Sequence, residues 1–157
     1  MAVSDEGRSA LVLSRKHMHE NTMAKSTRIS IVDDDASMRE AINTLISSIG
    51  LNVDEFLSAE DFLKSGQFHV FDCLILDVKM PGLDGLELQR RLIASSINIP
   101  IVFITAHYSE DQRRIAMEAG AVAFLRKPFT EQELLNAIDA CLAIRNRSVD
   151  GADQERH

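Results

Sequence analysis

Cys73-Leu74-Ile75-Leu76-Asp77 is an unbroken apolar run that ends in a carboxylate. A run this short, apolar at every position, suits a strand buried on both faces rather than one with a wet side. Ile99–Thr105 repeats the pattern downstream, with Pro100 tolerable at its start. Upstream, Thr27–Val32 is a short β-rich run that leads into Asp33-Asp34-Asp35. Leu51–Phe56 and Ala121–Leu125 complete a set of five expected strands.

Between the strands the apolar spacing becomes helical. Met38, Ile42, Leu45, Ile46 and Ile49 form a stripe over Ala36–Ile49, and Gly50 follows as a natural C-terminal cap. Ser58–Lys64, Gly85–Ala94, Glu110–Ala119 and Glu131–Arg145 read as four more helices. Asp35, Ser58, Asp84, Ser109 and Thr130 stand where N-caps are expected. Glu87 and Glu133, three residues after Asp84 and Thr130, suggest capping boxes. Five strands alternating with five helices predict an α/β fold: a parallel, doubly wound sheet covered on both faces.

The whole chain has 157 residues, 45% of them apolar, enough for one domain with tails. Residues 1–26 read as a flexible N-terminal tail, 27–147 as the domain and 148–157 as a C-terminal tail. Met23 is a plausible alternative start. His17 and His19 lack a third ligand nearby and read as solvated. No apolar run approaches the ~18–20 residues that span a membrane, and no signal-peptide core is visible, so the expected location is cytoplasmic. Seventeen basic against 24 acidic residues give a net charge of −7, which does not attract nucleic-acid phosphates. Cys73 and Cys141 read as small core residues, not as a disulfide or a thiolate metal site.

A doubly wound sheet binds ligands at the carboxyl ends of its strands. Asp33 and Asp34 end the first strand, Asp77 the third and Thr105 the fourth; Lys127 follows the fifth. Three crowded carboxylates repel one another, and a divalent cation relieves that repulsion. Hard oxygen ligands without soft ones favour Mg²⁺, with positions left open for water and phosphoryl oxygens. Asp77 could then act as a carboxylate nucleophile, forming an aspartyl-phosphate. Lys127 would neutralise the transferring group and the Thr105 hydroxyl would bond one of its oxygens. Asp35 is assigned the plain role of helix cap.

Ile31-Val32-Asp33-Asp34-Asp35, Leu76-Asp77-Val78-Lys79-Met80-Pro81, Leu83-Asp84-Gly85, Ile104-Thr105-Ala106 and Leu125-Arg126-Lys127-Pro128-Phe129 together resemble the receiver domains of two-component response regulators. The resemblance covers about residues 27–147 and is strongest to receivers of nitrogen-fixation-type transcriptional regulators. It implies a flavodoxin-like sheet in strand order 2-1-3-4-5, with Asp77 phosphorylated by a histidine kinase or a histidine phosphotransfer protein. It implies Mg²⁺ on Asp34, Asp77 and the backbone carbonyl of Lys79, with Asp33 acting through water, and a cis Lys127–Pro128 bond. Thr105 and Phe124 take the place of the family's switch pair, which changes the surface of the fourth helix, fifth strand and fifth helix. A homodimer through that face is a partner this allows. Phe124 lacks the hydroxyl of the commoner Tyr, so its switch must rest on packing. Lys79 and His107 hold the positions that tune phosphoryl lifetime.

Other readings stay beside this one. A Mg²⁺-dependent phosphatase or phosphotransferase would use the same aspartyl chemistry. Such enzymes commonly carry an acid-base Asp two residues after the nucleophile, where this chain has Lys79. A flavodoxin-like cofactor binder would need a Ser-, Thr- or Gly-rich phosphate loop where Asp33-Asp34-Asp35 stand. A receiver fold that works unphosphorylated usually lacks some of the five site residues, all present here. The leading expectation is a signalling module rather than an enzyme. The few residues after Arg145 leave no room for a DNA-binding domain, so the chain is either a stand-alone receiver or the N-terminal part of a regulator.

Overall fold

The computed structural model describes the backbone of residues 26–155 and side chains as far as Asn146. The expectations for residues 1–25, including His17, His19 and Met23, lie outside the described residues, as do the side chains of the expected C-terminal tail.

Five strands, β1 (Arg28–Val32), β2 (Asn52–Phe56), β3 (Cys73–Asp77), β4 (Ile101–Thr105) and β5 (Ala123–Arg126), form one sheet. Every pairing is parallel and the order is β2-β1-β3-β4-β5, as expected. The helices are α1 (Ala36–Ser48), α2 (Ala59–Ser65), α3 (Gly85–Ala94), α4 (Glu110–Glu118) and α5 (Glu131–Glu155). A short 3-10 turn at Phe68–Val70, not expected from the sequence, precedes β3.

The unbroken apolar runs are explained by two cores, one on each face of the sheet. Cys73 and Ile75 of β3, with Val102 and Ile104 of β4, join Ile42 and Ile46 of α1 and Leu134, Ile138 and Cys141 of α5. Leu74 and Leu76, with Ile101 and Phe103, face the other way onto Phe62, Leu88, Leu92 and Ala116 of α2, α3 and α4. Alternate side chains of a strand point to opposite faces, so a strand covered on both sides must be apolar throughout. Cys73 and Cys141 are buried and unbridged, in the same core.

The five expected N-caps all form. Asp35 accepts from the amides of Ser37 and Met38, Ser58 from Asp61, Asp84 from Glu87 and Ser109 from Gln112. Thr130 and Glu133 exchange both bonds of a capping box at 3.0 and 3.2 Å. The second box is only half made: Glu87 turns its carboxylate to Arg90 and Arg91 instead. Asp35→Ala should lower unfolding free energy by about 1 kcal/mol in a denaturant titration while leaving the edge carboxylates in place.

Element boundaries shift for local reasons. β2 begins at Asn52 because the Leu51 amide bonds back to the Ile46 carbonyl at the helix end. β4 begins at Ile101 because Pro100 has no amide to donate, although its carbonyl accepts from Leu74. Gly50, at φ 85°, provides the left-handed turn out of α1. α5 continues past the expected Arg145 to Glu155; no proline within 146–155 interrupts its hydrogen-bond ladder.

Candidate functional site

Parallel strands deliver their last residues to the same edge. Asp33 and Asp34 follow β1, Asp77 ends β3, Thr105 ends β4 and Lys127 follows β5. One oxygen from each of Asp33, Asp34 and Asp77 lies within 4.8 Å of the others. Asp33, Asp77 and Thr105 are buried, whereas Asp34 is exposed, so the cluster opens to solvent on its Asp34 side.

Lys127 spans two of the carboxylates. Its Nζ lies 2.9 Å from Asp33 Oδ2 and 3.5 Å from Asp77 Oδ2. One ammonium against three carboxylates leaves an excess of negative charge. Burial pushes the Asp77 carboxyl up from 3.8 to about 7, and the Asp33 carboxylate adds to the rise. Lys127 and the Lys79 amide pull the other way. All three acidic side chains offer hard oxygens, the donor set of Mg²⁺.

Backbone contacts hold these groups in place. The Lys127 amide donates to the Thr105 carbonyl at 2.7 Å, and the Val78 amide to the Ile104 carbonyl at 3.0 Å. The Lys127–Pro128 bond is cis, as the resemblance implied. Gly85 is required by close approach: a Cβ there would stand 2.3 Å from the Asp77 carbonyl oxygen. Asp33 Oδ1 accepts from the Asp35 amide at 2.9 Å, which aims its other oxygen at Lys127.

The sequence reading missed one support. Arg39, on the first turn of α1, donates through Nη1 to the Asp33 carbonyl at 2.7 Å. Its Nε lies 3.3 Å from Glu55 of β2. The signal lay in tertiary register: Glu55 pairs with Ile31, two residues before Asp33, across strands 24 positions apart in the chain.

The remaining expected residues sit around this centre. Lys79 is exposed and lines a shallow hollow with Met80, Pro81, Gly82 and Asp84. His107 is exposed, and its amide donates to Thr105 Oγ1 at 3.1 Å. Phe124 is half-buried, its ring centroid 5.9 Å from that of the buried Phe103.

Among the described residues no helix is long and apolar enough to cross a membrane. Residues 29–139 match the family model described as the response regulator receiver domain. The chain is 47% identical over 112 residues to nodulation protein W of Bradyrhizobium diazoefficiens, covering 71% of this chain and 49% of that one. It is 41% identical over 142 residues to response regulator protein TmoT of Ectopseudomonas mendocina, covering 90% of this chain and 63% of that one. Among solved structures, response regulator StyR superposes with a TM-score of 0.78 at 42% identity, over 83% of this chain and 66% of that chain. FixJ-N superposes with a TM-score of 0.69 at 34% identity, over 76% and 95%. The chain thus spans between about half and two thirds of the length of these two curated relatives.

Proposed function

Because the chain belongs to the response regulator receiver family, we propose that it accepts a phosphoryl group on Asp77 from a histidine kinase or histidine phosphotransfer protein and passes the signal through its surface. The observation that carries this reading is the buried Asp77 carboxyl beside Asp33, Asp34 and Lys127 at one sheet edge. The receiver unit is taken as residues 27–147.

Mg²⁺ fits the donor set. Asp34, Asp77 and the Lys79 backbone carbonyl would hold it, with Asp33 acting through water. When bound, the metal would draw the Asp77 carboxyl to its ionised form and offset charge on the incoming phosphoryl group. An Asp77 oxygen attacks phosphorus as the bond from phosphorus to the donor nitrogen breaks, leaving the imidazole to the donor protein. The Lys127 ammonium neutralises the phosphoryl oxygens. The Thr105 hydroxyl gives up the His107 amide to reach the same group, and Phe124 follows into the space behind it. The altered surface of α4, β5 and α5 then engages a partner, a second copy of this chain among the candidates. The acidic net charge supports output through protein contacts rather than nucleic-acid binding by this chain. The location we propose is the cytoplasm.

This is signalling chemistry with no separate substrate turned over. The phosphatase or phosphotransferase alternative gains nothing from the geometry, since exposed Lys79 occupies the place of the second acidic group. Intact mass after incubation with acetyl phosphate and Mg²⁺ tests the reading: one phosphoryl adduct supports it. No adduct, with Mg²⁺ binding shown separately, rejects it.

Lys79 and His107 are expected to set how long the phosphoryl group lasts. Both are exposed beside the site, where a side chain can obstruct the attacking water. Lys79→Ala and His107→Ala should change the rate of adduct decay by more than about threefold while shifting stability by less than about 0.5 kcal/mol. Unchanged decay in both variants would sink this assignment.

A further inference from the structure

We propose that Tyr108 and Arg126 form an external clamp that holds Phe124 and the loop after β4 in the resting arrangement, so that these two residues set how readily the site switches. The proposal rests on the phosphoryl-receiving reading above and adds two positioning residues to it.

The geometry is a continuous stack from core to surface. Phe103 pairs with Phe124 and Thr105 with Arg126 in the β4–β5 register. Paired residues of parallel strands, and those two apart on one strand, share a face, so all four side chains lie on the same side of the sheet. Phe124 is enclosed by Phe103 beneath and Tyr108 outside, each with its ring centroid 5.9 Å away. The contact with Tyr108 is edge-to-face, at 78°. The Arg126 guanidinium lies 4.2 Å from the centroid of the Tyr108 ring.

The phenol is tied down as well. Tyr108 O–H donates to Glu110 Oε2 at 2.5 Å, and Arg113 donates to the same carboxylate at 2.8 and 3.0 Å. The loop is therefore pinned twice: by the His107 amide on Thr105 Oγ1 at its root and by the Tyr108 ring three residues along. A shift of Thr105 Oγ1 toward a phosphoryl oxygen lengthens the first pin. Phe124 cannot move inward without parting from Tyr108, the second.

Because Phe124 has no hydroxyl, no hydrogen bond of its own can favour either position. The contacts with Tyr108 and Arg126 decide the balance instead. Weakening them raises the population of the switched arrangement and with it the rate at which a small phosphodonor is used.

The chain has one tyrosine and no tryptophan, so its intrinsic emission reports Tyr108 alone. The test combines that emission with intact mass during incubation with acetyl phosphate and Mg²⁺. Wild type should change its tyrosine emission in step with adduct formation. Arg126→Ala and Tyr108→Ala should be phosphorylated about two- to fivefold faster than wild type. Arg126→Lys, which keeps a cation over the ring, should return toward the wild-type rate. Adduct formation without a change in tyrosine emission would overturn the clamp. So would uptake by Arg126→Ala and Tyr108→Ala at or below the wild-type rate. If wild type forms no adduct, the receiver reading fails first and the clamp falls with it.

Discussion

Asp77→Asn is expected to take up no phosphoryl group under conditions where wild type takes up one. Asp77 is the buried carboxylate at the end of β3, 3.5 Å from the Lys127 ammonium and within 4.8 Å of Asp33 and Asp34 oxygens. An amide oxygen carries no negative charge to attack phosphorus and is a poorer ligand for a hard cation. The substitution keeps the shape of the side chain, so loss of the adduct would not reflect a collapsed site. Intact mass with acetyl phosphate and Mg²⁺ is the measurement, with circular dichroism confirming the fold. An adduct of undiminished yield in Asp77→Asn would move the acceptor elsewhere.

The same substitution is expected to stabilise the metal-free protein at alkaline pH. Burial and the Asp33 carboxylate raise the folded-state Asp77 pKa from 3.8 to about 7. Below about pH 3 the group is protonated in folded and unfolded chains alike and costs nothing. As pH climbs from 4 through 7, the unfolded chain releases the proton while the fold retains it. Folding stability therefore falls across that window and stays reduced above it. Asparagine removes the ionisation, so Asp77→Asn should exceed wild type by about 3–4 kcal/mol at pH 8 without divalent cations. The difference should close toward pH 3. Added Mg²⁺ should raise the wild-type Tm and move the variant much less, because only the ionised carboxylate draws the cation. Equal stability of the two proteins at pH 8 in chelator would contradict the charge crowding inferred here.

These two results separate what could be read along the chain from what could not. The strand that carries Asp77 was legible because burial on both faces leaves an apolar run with no alternation, and Leu74 and Leu76 do face a different core from Cys73 and Ile75. The helix starts were legible because a cap is a local bond: Asp35, Ser58, Asp84, Ser109 and Thr130 each reach amides two or three residues on. Boundaries that depend on a neighbouring element were less legible. Leu51 reads as strand, but its amide belongs to the end of α1. Glu87 reads as half of a capping box, but Arg90 and Arg91 stand one turn away.

The sequence alone therefore determined the alternation of strands and helices, the two-sided burial of the sheet and the convergence of Asp33, Asp34, Asp77, Thr105 and Lys127 on one edge. Each follows from local periodicity and from the rule that parallel strands end together. Only the tertiary structure decided which carboxylates Lys127 would bridge, that Arg39 of α1 would brace Asp33 while paired with Glu55 of β2, and that Tyr108 would close over Phe124 beneath Arg126. Those contacts join residues on different elements. Their distances are set by strand register and helix packing, which no local pattern encodes, and electrostatic and aromatic contacts weaken or vanish with a displacement of an ångström or two.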